Sequence, residues 1–97
     1  MKKFEELRKI ITQHKKELRD RFMVEEIAVF GSYVRRQQKE DSDVDILVEF
    51  SKPISLFHIV SLENYLSDIL GVKVDIVPKK NIRKELKEMI LREAIPL

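Results

Sequence analysis

The 97-residue chain contains no cysteine. That excludes disulfides, thiolate metal sites and a thiol nucleophile. No apolar run approaches the roughly 18 residues that a membrane-spanning helix requires. The opening MKKFEELRKII carries acids where a secretory signal has none, so a cytoplasmic location is expected. Charge of one sign is also missing: 19 basic and 17 acidic residues leave a net +2, and with few aromatics there is no stacking platform. Direct nucleic-acid binding is therefore not expected, and any polyanion must be handled locally. Glycine is nearly absent, with Gly31 and Gly71 the two examples.

What is present is a globular composition, 43% apolar, in a length that supports one core and one domain spanning residues 1–97. FEELRKIITQHKKELRDRF places Phe4, Leu7, Ile11, His14 and Leu18 at steps of three and four, an amphipathic helix. EEIAVF reads as a buried strand ending at Gly31, and DVDILVEF as a second strand closed by Pro53. ISLFHIVSLENYLSDIL returns to helical spacing, with Gly71 at the C-cap. VKVDIV is a third strand, ended by Pro78. A last helix follows, with Asn81 as N-cap and Ile82, Leu86, Met89 and Ile90 on one face. The predicted order is α-β-(short α)-β-α-β-α, an α/β (α+β) domain with helices flanking a small three-stranded sheet. The helical crossover predicts that the second and third strands run parallel.

The segment between the first two strands, GSYVRRQQKEDSDVD, is not loop filler. Alternate strand residues share a face, so Asp43 and Asp45 project together, their Cβ atoms about 6.5–7 Å apart. Val44, Ile46 and Val48 take the other face. In VKVDIV the same parity puts Asp75 opposite the apolar row of Val72, Val74 and Ile76. Neighbouring strands with a common core would then bring three carboxylates to one face. Each like-charged pair costs roughly 0.6 kcal/mol at 7 Å in water, and about 2.4 at an effective dielectric of 20. A cation relieves that cost, and all-oxygen ligands suit two Mg²⁺ or Mn²⁺ ions. A lone D-x-D is more often a pair of solvated strand-start acids. The third acid on a matching strand shifts the balance. Asp41 is read as a loop acid and Glu49 as exposed.

Gly31 lets the backbone approach an anion closely, and the N–H groups of a following short helix would point at a phosphate. Ser32 could donate to that phosphate or simply cap the helix. Arg35, one turn later, could reach a polyphosphate. By itself a Gly-Ser turn is a plain turn with a cap; beside the acids it supplies the other half of a nucleoside-triphosphate site.

Together, G-S-x-x-R (Gly31, Ser32, Arg35) and S-D-x-D (Ser42 to Asp45), with Asp75 downstream, resemble the DNA polymerase β-like nucleotidyltransferase superfamily. The small size and the ending REAIPL resemble its minimal members, the MNT or MntA-type antitoxins. The resemblance covers nearly the whole chain. It implies a mixed three-stranded sheet with flanking helices, and Mg²⁺-dependent transfer of AMP from ATP. It also implies a HEPN-family toxin as partner and acceptor, modified on a tyrosine. Asp43 and Asp45 would hold both metals, Asp75 would bind the catalytic one and help deprotonate the acceptor, and Gly31 and Ser32 would hold the triphosphate. Arg36 departs from the glycine common at that position.

His14, His58, Tyr33 and the basic runs Lys15 to Arg21 and Lys79 to Lys84 read as packing or solvated residues rather than as ligands. A second function remains open: a non-catalytic antitoxin that neutralises its partner by occlusion. The absence of appended acceptor-gripping domains favours protein modification over chain synthesis.

Overall fold

The computed structural model describes residues 3–31 and 43–97. Helix α1 (Phe4–Gln13) buries Leu7 and Ile11, and α2 (Lys15–Phe22) continues the stripe with Leu18 and Phe22. Strand β1 (Val24–Phe30) leads to Gly31, and β2 (Val44–Phe50) follows. Helix α3 (Leu56–Leu70) starts at Ser55, whose hydroxyl accepts from the His58 N–H, and stops at Gly71 with φ +69°. That left-handed cap returns the chain into β3 (Val74–Pro78). A 3₁₀ turn (Lys79–Asn81), helix α4 (Lys84–Glu93) and a short strand β4 (Ile95–Pro96) complete the order.

The sheet runs β3-β2-β1-β4. β2 pairs parallel to β3 and antiparallel to β1, which in turn pairs antiparallel to β4. One face carries Val29, Val44, Ile46, Val48, Val74 and Ile76, which join Leu7, Ile11, Leu62, Leu66 and Leu70 from the helices in one core. At about 25 cal/mol per Å² of buried apolar surface, this face drives folding. Among the described residues no helix is long and apolar enough to cross a membrane.

The structure departs from expectation in four places. The sheet has four strands rather than three, because Ile95 and Pro96 add a rung to β1. The first helix is two helices. The His14 ring nitrogen Nδ1 donates to the Ile10 carbonyl at 2.8 Å while its own backbone N–H turns to Ile11, so a side chain displaces one bond of the α ladder. Asn81 closes the 3₁₀ turn instead of capping α4, whose N-cap is Arg83, because the chain is extended at Ile82. On α4 only Ile90 is buried, whereas Leu86 and Met89 are exposed. The short helix expected after the Gly-Ser turn lies outside the described residues.

Candidate active site

The face of the sheet opposite the core is organised in rows that cross the strands. In the first row Asp45 is flanked by Phe30 of β1 and Asp75 of β3. In the second, Leu47 is flanked by Ala28 and Val77, and Ala28 also pairs with Pro96. In the third, Glu49 stands beside Glu26. Asp43 precedes β2 with the parity of Asp45 and is half-buried, as is Asp45, while Asp75 is exposed. Register partners on adjacent parallel strands sit about 4.8 Å apart. Asp45 and Asp75 are therefore neighbours by backbone pairing, not merely residues of matching parity.

Gly31 closes the first row. It is buried, with φ +79°, and a Cβ there would lie 3.3 Å from the Cβ of Asp45, 3.2 Å from its Cγ, and in collision with its Oδ2. The backbone approaches the Asp45 carboxylate this closely only because residue 31 lacks a side chain. Ser32, Arg35, Tyr33 and Arg36, which complete the turn in the sequence, lie outside the described residues.

β3 is an edge strand, and α3 supplies what the missing neighbour would. The N–H of Val74 donates to Ser67 Oγ at 3.1 Å, and the N–H of Ile76 donates to Glu63 Oε2 at 3.0 Å. These two bonds bracket Asp75. They hold the strand that carries it and block the edge against stray pairing. Glu63 and Ser67 leave only a faint mark in the sequence, a polar pair four apart on an otherwise apolar helix face.

The third row is an ion-pair cluster rather than a bare exposed acid. Lys79 Nζ lies 3.1 Å from Glu49 Oε2 and 3.8 Å from Glu26 Oε2. The Lys79 ammonium holds the Glu49 carboxyl below its usual range, and Glu49 in turn raises the lysine. The histidines pack, as expected. His58 Nε2 donates to the Phe22 carbonyl at 2.6 Å between the rings of Phe22 and Phe50, and His14 stands edge-on to Tyr65.

Among the described residues no group of three His, Cys, Asp or Glu side chains forms a ready metal cage. The donor set is nonetheless suited to a hard cation. Its members are carboxylates, two of them adjacent in register and a third sharing their parity. Mg²⁺ is commonly held by one or two carboxylates together with substrate phosphates, so a closed protein cage is not required.

A family model described as a nucleotidyltransferase domain matches residues 11–97. The protein adenylyltransferase MntA of Thermococcus cleftensis is 53% identical over 91 residues, covering 94% of this chain and 92% of the relative. Among solved structures, one described as a candidate minimal nucleotidyltransferase superimposes with TM-score 0.75 at 38% identity, covering 94% of this chain and 95% of that one. A toxin–antitoxin structure with AMP-PNP superimposes with TM-score 0.73 at 26% identity, covering 88% of this chain and 69% of that one.

Proposed function

The chain belongs to the nucleotidyltransferase domain family, and from that premise we propose that it transfers AMP from ATP to a hydroxyl of a partner protein. The partner is a HEPN-domain toxin, the acceptor one of its tyrosines, and the chain acts as the antitoxin of the pair. The observation that carries this reading is the first row. Asp45 and Asp75 stand side by side on the open face, with the Gly31 backbone pressed against the Asp45 carboxylate. The adenylyltransferase relative supports the choice of nucleotide, and the toxin–antitoxin structure with AMP-PNP supports a toxin as partner.

Asp43 and Asp45 would hold the Mg²⁺ ions, and Asp75 would help to bind one of them. Bound there, Mg²⁺ supplies charge stabilisation at the phosphoryl oxygens. The protein's own part is positional. The bare Gly31 backbone fits against the Asp45 carboxylate, and Ser32 and Arg35 would donate to the triphosphate. Glu63 and Ser67 keep β3 straight beneath Asp75. In the transfer, the acceptor oxygen forms a bond to the α-phosphorus as the bond to the bridging oxygen breaks. Pyrophosphate leaves, and the hydroxyl proton passes to Asp75.

Occlusion without chemistry is the second reading, favoured by the exposed Leu56 and Phe57, 73% and 84% accessible at the start of α3. One experiment separates the two. The protein is incubated with ATP, Mg²⁺ and the protein encoded beside it, expected to be a HEPN toxin, and the intact toxin is weighed. AMP-sized increments that disappear in the Asp43→Asn/Asp45→Asn variant, or when the metal is chelated, are expected. A toxin of unchanged mass, inhibited equally by wild type and the double variant, would leave occlusion alone.

A further inference from the structure

An apolar–polar alternation fixes which face of a strand is buried, but not its register. A slip of one residue turns the apolar row out of the core, whereas a slip of two keeps it facing inward. Along β3 a slip of two would move the strand by about 6.5–7 Å and set Lys73 or Val77 beside Asp45 in place of Asp75. The acid row would then be one carboxylate short. Something other than the hydrophobic pattern must choose the register. We propose that Ser67 and Glu63 make that choice, as positioning residues for nucleotidyl transfer that hold β3 where Asp75 stands beside Asp45. Their role in transfer rests on the nucleotidyl-transfer reading, while their hold on the register does not.

Ser67 blocks the slip in one direction. Its carbonyl accepts the Gly71 N–H at 2.9 Å, and its hydroxyl accepts the Val74 N–H at 3.1 Å. One residue thus grips both ends of the turn, with Val72 and Lys73 between them. For Lys73 to reach the place of Asp75, Val72 would have to take the place of Val74. The turn would lose both residues that span it.

Glu63 blocks the other direction. Its Oε2 accepts the Ile76 N–H at 3.0 Å. With Val77 beside Asp45, the residue brought to Glu63 would be Pro78, which has no N–H to give. Both grips are stiff. Glu63 and Ser67 each follow a fully buried leucine, Leu62 and Leu66. One residue step turns about 100° around a helix, which carries the polar pair from the core to the edge of the sheet. The packing that fixes α3 therefore fixes β3 through these two side chains.

The test is a mutant cycle. Glu63→Ala and Ser67→Ala are each placed in the natural chain and in an Asp75→Asn chain, and AMP transfer to the partner protein is timed. Each should slow transfer about tenfold in the natural chain, and by less than about twofold where Asp75 is already replaced, because residues that act through Asp75 then have nothing left to position. Equal losses in the two backgrounds overturn the proposal, since a merely structural contribution does not depend on residue 75. Amide exchange gives a readout that needs no activity. The Asp75 N–H lies on the side of β3 that faces β2 rather than α3. In both variants its protection should fall about tenfold further than that of fully buried Val29. Protection at Asp75 that falls only as far as at Val29 overturns the hold on the register. Should Glu63→Ala fail to fold, Ser67→Ala carries both measurements. A wild-type protein that transfers nothing, with exchange as expected, sinks the AMP-transfer reading and the role in transfer, while the hold on the register stands.

Discussion

The two faces of β2 are built from the same seven residues and do opposite things. Val44, Ile46 and Val48 are fully buried between the helices and close the core. Asp45, with Asp43 just before the strand, lies on the open face in register with Asp75 of β3. A strand evolved for stability alone would not place carboxylates side by side on adjacent parallel strands. The comparison teaches that the buried apolar face fixes the strand, and with it the register that sets Asp45 beside Asp75. Activity and stability should therefore separate by face.

The strongest way to test that separation is a matched pair on consecutive residues. Ile46→Ala should lower stability by about 2–5 kcal/mol, as cavity-forming core substitutions do. Asp45→Asn should change stability far less and reduce transfer by on the order of 10²–10³-fold. Chemical denaturation and the AMP-transfer assay on both variants check this. Equal losses of stability from the two would break the distinction.

A smaller effect sharpens the same contrast from behind β3. Glu63 lies on α3, yet it accepts the Ile76 N–H next to Asp75. Glu63→Ala should reduce transfer by roughly tenfold with about 1 kcal/mol of stability lost, the scale of one hydrogen bond. Glu63→Gln keeps an acceptor oxygen and should restore most of the transfer rate. Failure of that rescue would mean that charge, not edge-pairing, is what Glu63 contributes.

The smallest effect lies wholly on the folding side. Burial, and then the 2.8 Å hydrogen bond to Glu17, push the Tyr65 hydroxyl up to about 12 from an ordinary 10. The folded state thus favours the protonated phenol. Its stabilising contribution is complete below pH 10 and is lost as pH rises toward 12. Thermal melts across this range should show the wild type losing an increment of stability that Tyr65→Phe never has.

Much of this was legible along the chain, for reasons that differ by residue. The alternation of Val44, Ile46 and Val48 with Asp45 is a period-two pattern that permits only one strand orientation against a core. Gly71 sits where a helix must stop, and a left-handed φ is found there. Other features had no local signature. The two-residue strand β4 exists because β1 offers a free edge, not because Ile95 and Pro96 have a pattern. The exposure of Leu86 and Met89 could not be read from α4, since helical spacing reports an apolar face without saying what covers it. The break at His14 depends on one ring nitrogen finding one carbonyl.

The candidate site divides the same way. Sequence alone determined which residue types are available, no thiol and three acids of common parity, because parity follows from backbone geometry within each strand. It also determined that residue 31 can carry a positive φ. Only the tertiary structure decided that Asp45 and Asp75 share a register, that Gly31 presses on Asp45, and that Glu63 and Ser67 brace the strand from outside. Those are relations between segments far apart in the chain, set by strand pairing and by how helix α3 lies along the edge of the sheet.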